Sequence, residues 1–255
     1  MEPAEPADKS AAQEVVEIVK TVVYALLIAL VLRILLFQPF TIPSASMEPT
    51  LLEGDYIIVS KFSYGYSRHS IPFSPKVMDG RLLERTPARG DIIVFKLPRD
   101  GHTDYIKRLV GLPGDRIQVR EGALYVNGKA VARKPLGPQA IETDYGFTRQ
   151  VTRYEESLPS GKHYTTYDFG PDGEVDNTGV FIVPEGHYFF MGDNRDNSLD
   201  SRVPPELQGV GMVPAENLVG KAQIILLSWH REAALFKPWT WVTKARPSRF
   251  FHILH

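Results

Sequence analysis

The 255 residues include no cysteine. That absence excludes a disulfide scaffold, a thiol nucleophile and every thiolate metal site. It leaves the compartment open, because a cysteine-free chain serves on either side of a membrane. Charge of one sign is also missing. With 29 basic and 30 acidic side chains the net charge is −1, which is no footprint for nucleic acid. The histidines (69, 102, 163, 187, 230, 252 and 255) show no HExxH and no regular ligand spacing, so neither a metal nor a cofactor is expected. There is no P-loop, no GxGxxG after a strand and no GxSxG elbow. His102 could serve a serine as base, yet a loop histidine beside Gly101 is more often simply solvated.

What the chain does have is 20 Gly and 20 Pro, which favours short strands and turns over a helical bundle, with 43% hydrophobic residues to build a core. The length fits one large or two small domains that need no staples.

The hydrophobicity is unevenly spread. Residues 1–14 are polar and rich in Pro and Ala, the pattern of a disordered tail. Val15 to Phe37 then reads VVEIVKTVVYALLIALVLRILLF. As a helix it reaches about 34 Å, enough for a hydrocarbon core of about 30 Å. Glu17, Lys20 and Arg33 lie near its ends, where the basic chains can snorkel, and Pro39 stops it. Lys9 and Lys20 precede the centre of the span, which puts the N-terminus in the cytoplasm and everything after Phe37 outside. A buried amphipathic helix competes with this reading. So does a cleavable secretory signal, since Ser44-Ala45-Ser46 is a small-x-small site. An acidic N-terminal region, Arg33 within the run and the prolines at 39 and 43 argue for an uncleaved anchor.

Beyond the anchor the pattern becomes β. Tyr56–Ser60, Asp91–Phe95, Tyr105–Val110, Arg116–Arg120, Phe181–Val183, Tyr188–Met191 and Val219–Leu227 are rich in β-branched and aromatic residues. Leu124–Val126 and Ala130–Val131 flank Asn127-Gly128, a two-residue hairpin signal. Strands without alternating helices predict a mainly β, antiparallel fold. Residues 63–87 and 132–179 are polar with weak periodicity and read as insertions or a second β subdomain.

Three stretches are too particular for ordinary strand edges. The first is Phe40–Leu51 followed by Gly54-Asp55, in which Ser44 and Ser46, two positions apart on an extended segment, point to one side. The second contains Tyr105-Ile106-Lys107-Arg108-Leu109, where alternation puts Lys107 on the same face as Tyr105 and Leu109. A lysine desolvated there loses its charge readily and can take a serine's proton. The third, Met191–Arg202, packs Asp193, Asp196 and Asp200 with Arg195 and Arg202, a loop pinned by ion pairs and Asx turns. A calcium loop fits it poorly, because Ser198 and Pro204 fall where an EF-hand needs its glycine and closing glutamate.

Together these stretches, Ile42–Asp55, Gly90–Val94, Tyr105–Asp115 and Gly192–Arg202, resemble bacterial type I signal peptidases over about half the chain, and the GDNRDNSxDSR block is highly specific. The resemblance implies an antiparallel β catalytic core with an inserted β subdomain, outside the cytoplasm, and a Ser–Lys dyad that removes signal peptides from exported preproteins. It implies Ser46 as nucleophile, Lys107 as general base, Ser44 with the Ser46 N–H as oxyanion hole, and Ser198 orienting the lysine amine. Ile42, Met47, Leu51, Tyr105 and Ile106 would wall pockets for small substrate residues at −1 and −3. Arg108, Asp193, Asp200 and Arg202 would brace the site. Ala45 departs from the family's usual Gly, leaving the dyad intact and bearing on pocket width.

The expected division is a core at about 38–61, 88–114 and 189–255, with insertions at about 62–87 and 115–188. Expected partners are secretory preproteins and the lipid bilayer, near the secretion translocase. Trp229, Phe236, Trp239, Trp241, Phe250 and Phe251 alternate with Arg231, Lys237, Lys244, Arg246 and Arg249, a composition that suits either a membrane-interface face or a core with solvated basic chains. A self-cleaving Ser–Lys protease of the SOS-repressor type would lack the anchor and the third stretch. A peptide-binding β domain without turnover is the noncatalytic alternative.

Overall fold

The computed structural model describes residues 11–143, 146–171, 173–233 and 237–254. Helix α1 covers Ala11–Leu35. It starts four residues before the expected Val15, so residues 11–14, expected in the tail, form its first turn; the rest of that tail lies outside the described residues. An 18-residue window within residues 12–35 has a mean hydropathy of 2.4, and none of that window is buried against the protein. A helix apolar on every face with none of that window buried is long and apolar enough to cross a membrane.

The strands are β1 (Phe37–Thr41), β2 (Asp55–Ser60), β3 (Ile92–Lys96), β4 (Asp104–Gly111), β5 (Arg116–Arg120), β6 (Ala123–Val126), β7 (Lys129–Ala130), β8 (Ala132–Glu142), β9 (Thr148–Ser157), β10 (His163–Asp168), β11 (Phe181–Ile182), β12 (His187–Met191), β13 (Val213–Pro214), β14 (Leu218–Ser228) and β15 (His252–Ile253). The main sheet runs β1-β2-β14-β3-β4-β12-β13, with β15 on β14. A second sheet is β10-β9-β8 and a third β11-β5-β6-β7. Every strand pair is antiparallel. At the expected hairpin Asn127 and Gly128 both take positive φ, 53° and 78°, as a two-residue turn with the right twist requires.

Strand β3 shows why the core sits where it does. Ile92 and Val94 face one apolar cluster with Ile57, Val59 and Ile225, while Ile93 and Phe95 face a second with Leu109 and Phe190. An unbroken apolar run is needed for a strand buried on both faces, and Ile92–Phe95 supplies it. A third cluster, including Val110, Ile117 and Phe189, seals the third sheet onto the main one.

The stretch 132–179 holds β8, β9 and β10, two of them 11 and 10 residues long. Weak alternation concealed them because much of β8 is exposed on both faces. At the C-terminus Trp229 packs edge-on against Tyr56 at 5.6 Å and beside Phe250 at 5.9 Å. Arg246 donates to the Glu53 carbonyl and Arg249 pairs with buried Asp55, so these two basics bind the protein itself. Trp239, Trp241 and Phe251 are exposed, and Phe236 lies outside the described residues.

Candidate active site

The site forms where three segments meet. After β1 the chain turns through a 3-10 turn at Ala45–Met47, entered from Ser44 in extended conformation (φ −144°, ψ 155°). The segment is therefore not extended through Ser46, as its sequence suggests. The turn nevertheless brings the Ser44 and Ser46 hydroxyl oxygens to 3.4 Å. The turn also sends Met47 and Leu51 into the main core, fully buried, with Ile42 beside them. These three do not line the cleft; they hold the serine segment from beneath. Tyr105 and Ile106 do line it.

Strand β4 carries Lys107 opposite Ile93 of β3. Lys107 is 4% exposed, and its Nζ lies 2.7 Å from Ser46 Oγ and 3.1 Å from the Ile106 carbonyl. Burial lowers its pKa to about 8, while Asp200 and Asp193 push the other way. A lysine inside an apolar strand usually snorkels; this one stays buried and faces a hydroxyl. An amine of that basicity within hydrogen-bonding reach can take the proton of a serine without a histidine. His102 is remote from this chemistry: its side chain is 79% exposed and its Nδ1 is 3.4 Å from Asp100.

The third segment is the loop after β12. Asp193 takes two hydrogen bonds from Arg108, from Nε at 2.8 Å and Nη2 at 2.7 Å, and Arg108 also donates to the Gly90 carbonyl. Asp200 is gripped by Arg202 through Nε at 2.9 Å and Nη2 at 2.8 Å, and accepts the Gly192 N–H. All four charged chains are buried and paired, the condition under which buried ions are tolerated. The loop is thus pinned by ion pairs, as its composition suggests.

Two contacts escaped the sequence. Asn194, fully buried, donates from its backbone to the Ser46 carbonyl and from Nδ2 to the Ala45 carbonyl, pinning the serine turn from both ends. Gly192 lies so close that a Cβ there would stand 2.3 Å from Ser198 Oγ and 2.5 Å from the Ser46 carbonyl oxygen. The DN and MG pairs in the block were visible, but nothing local says which carbonyl they reach. Ser198 lines the same cleft, yet its buried Oγ has no hydrogen-bond partner; the expected bond to the Lys107 amine is not formed.

The cleft itself measures about 630 Å³ and includes Ser44, Ser46, Tyr105, Ile106, Lys107 and Ser198, with Glu174 and Val175 from the segment between β10 and β11 closing the far wall. Beside it, Asp104–Lys107 pair only with β3, since β12 joins β4 from Arg108 onward. Among the described residues no strand covers the other edge of Tyr105–Lys107. Such an edge offers backbone donors and acceptors to an incoming extended chain.

An antiparallel β domain behind an apolar helix, with a serine, a buried amine and a free strand edge sharing one cleft, has the parts of an amine-assisted acyl-transfer site. A model of the family "Signal peptidase, peptidase S26" matches residues 15–229. Signal peptidase I of Rickettsia typhi (strain ATCC VR-144 / Wilmington) is 42% identical over 251 residues, covering 91% of this chain and 91% of that protein. The Rickettsia prowazekii (strain Madrid E) protein of the same name is also 42% identical over 251 residues, at 91% of each chain. A crystal structure of a signal peptidase I from Enterococcus faecalis V583 is 29% identical, covering 54% of this chain and 97% of that one, with a TM-score of 0.31. The chain belongs to the signal peptidase family, peptidase S26.

Proposed function

We propose that the chain is a membrane-anchored serine endopeptidase that cleaves signal peptides from exported preproteins after small-x-small sites. The observation that carries this reading is the 2.7 Å approach of the buried Lys107 amine to Ser46 Oγ. Neutral Lys107 accepts the Ser46 proton as Oγ attacks the scissile carbonyl. The oxyanion is held by Ser44 Oγ and the Ser46 N–H. The C–N bond breaks, the amine of the mature protein takes the proton from Lys107, and an ester to Ser46 remains. Water, giving one proton to Lys107, attacks that ester; the Ser46 Oγ–acyl bond breaks, Lys107 returns the proton to Ser46 Oγ, and the signal peptide is freed.

Lys107 Nζ has two oxygen neighbours in the resting site, and Ser198 supplies a third when its unpartnered hydroxyl turns to the amine. The signal peptide's last residues add to the free edge of β4, with small side chains against Tyr105 and Ile106. Arg108, Asp193, Asp200 and Arg202 brace the two catalytic segments. The N-terminus is cytoplasmic and residues 38–255 form the extracytoplasmic peptidase domain, close to the translocase that delivers preproteins. Its core comprises about 38–61, 88–114 and 189–255, and the segments between are insertions. The test is incubation of the full-length protein in detergent with a preprotein. Ser46→Ala and Lys107→Met are each expected to lose processing on the order of 10⁴-fold or more while keeping the wild-type circular dichroism. Processing at the wild-type rate by either variant would overturn the assignment.

A further inference from the structure

A separate cavity of about 340 Å³ opens where α1 meets the folded domain. Leu30 and Arg33 of α1 form one wall, the loop Ile71–Ser74 with His69 the other, and Lys96 and Asp104 the floor. It shares only Asp104 with the active-site cleft.

Its lining mixes the charged Arg33, Lys96 and Asp104 with the apolar Leu30, Phe73 and Val219, and apolar surface predominates. Lys96 Nζ is 2.9 Å from Asp104, so that carboxylate is already matched. Among the described residues Arg33 has no ion-pair partner, so the lining holds two cations, Arg33 and Lys96, against one carboxylate. Two buried neighbours respond to this field. Burial first, and then Arg33 and Lys96, hold Lys61 to about 8 although Asp104 opposes them. Burial, with Arg68, Lys96 and Arg81, holds His69 to about 4, and it stays a neutral ring between Arg68 Nε and Ser74 Oγ. At the rim Phe73 is wholly exposed (103%), beside Pro72 and Leu30.

The depth of the cavity along the anchor is marked as well. Leu36 and Phe37 directly follow the span and are exposed, with Phe62 edge-on to Phe37 at 5.5 Å. Exposed aromatics at the end of a span belong at the headgroup level. An anion in water would satisfy Arg33 but leave Phe73 and Leu30 in water. A zwitterionic headgroup would bring an ammonium that finds no unmatched carboxylate.

We propose that this cavity binds an anionic phospholipid of the bilayer that α1 crosses, its phosphate between Arg33 and Lys96 and its acyl chains against Leu30, Pro72 and Phe73. The proposal rests on the reading of α1 as a membrane span. Basic pockets beside membrane helices recognise headgroups by this combination of fixed cations and adjoining hydrocarbon.

The test is native mass spectrometry of the delipidated full-length protein in detergent, titrated separately with phosphatidylglycerol, phosphatidylcholine and inorganic phosphate. One phosphatidylglycerol is expected to be retained in preference to phosphatidylcholine, and phosphate is not expected to displace it. Arg33→Gln with Lys96→Gln should weaken its retention about thirtyfold, the loss of two cation contacts. Arg33→Lys with Lys96→Arg should keep it, which separates charge from misfolding. Equal retention of both lipids, displacement by phosphate, or wild-type binding by the neutral pair overturns the site. Carbonate extraction from vesicles reads the span independently: release of the chain overturns anchor and site together, whereas a retained chain indifferent to lipid charge overturns the site alone.

Discussion

On the proposed mechanism, Lys107 couples activity and stability through one proton. Its pKa in the folded protein is lowered to about 8 by burial, below that of the unfolded chain. Below about pH 8 both states hold the proton and the folded state bears the cost of the buried ammonium. Between the two pKa values the unfolded chain binds more protons, so stability rises with pH; above both the cost is gone. Lys107→Met is therefore expected to raise the stability to urea at pH 7 by about 3 kcal/mol, an advantage that vanishes above the ordinary lysine pKa. In the wild type, kcat/KM should rise with pH along a limb near 8, read from preprotein processing. Leu51 offers the opposite case. Because it is fully buried in the main core, Leu51→Ala should cost about 2–5 kcal/mol in denaturant titrations and leave the preference for small residues at −1 and −3 unchanged. An altered preference would return Leu51 to the pocket wall.

At the level of elements, the serine turn has little structure of its own, and the loop after β12 holds it. A 3-10 turn of three residues makes few internal bonds, so Asn194 supplies two, and Gly192 lets the Ser46 carbonyl and Ser198 close in. Gly192→Ala must push both apart; processing should fall and the melting temperature drop, measured on the same preparation. The Arg108–Asp193 pair fixes that loop to β4. Arg108→Met alone strands a buried carboxylate and should cost about 3–5 kcal/mol, whereas Arg108→Met with Asp193→Leu should recover most of the stability without recovering the rate. Here sequence pattern reached its limit. The residues of the block announced ion pairing, and Lys107 could be singled out by type and face, whereas the choice of Ser46 over Ser44 came only from the resemblance. The partners of Asn194 could not, because hydrogen bonds between segments about 150 positions apart depend on the sheet order alone.

Across the whole molecule, the β8–β10 sheet is more than an appendage. Arg195 Nη1 reaches Glu156 of β9 at 2.7 Å and Nη2 closes the bidentate pair, with the Tyr164 hydroxyl donating to the same carboxylate. The Tyr167 N–H donates to the Asp193 carbonyl, and the Arg195 N–H to Tyr167. This sheet thus clamps the loop that pins the Ser46 turn. Glu156→Leu should leave Arg195 unpaired, lower stability by about 3–5 kcal/mol and slow processing, though no atom of Glu156 lines the cleft. Measuring urea midpoint and kcat together checks both.

The amino-acid sequence by itself determined the features that arise from local pattern and residue type. A mostly apolar run, uncharged from Thr21 to Leu32, makes a helix long enough to cross a membrane, period-two alternation and Asn-Gly make the strands and the hairpin, and missing cysteine removes thiol chemistry. The tertiary structure decided the features that depend on long-range pairing. Folding turned Ile42, Met47 and Leu51 inward as core rather than pocket, left the first half of β4 with an open edge, and buried the Lys107 ammonium against Ser46. The reason is physical: chain order fixes which faces are apolar, but only the closed sheet sets which polar groups lose their water and what they meet instead.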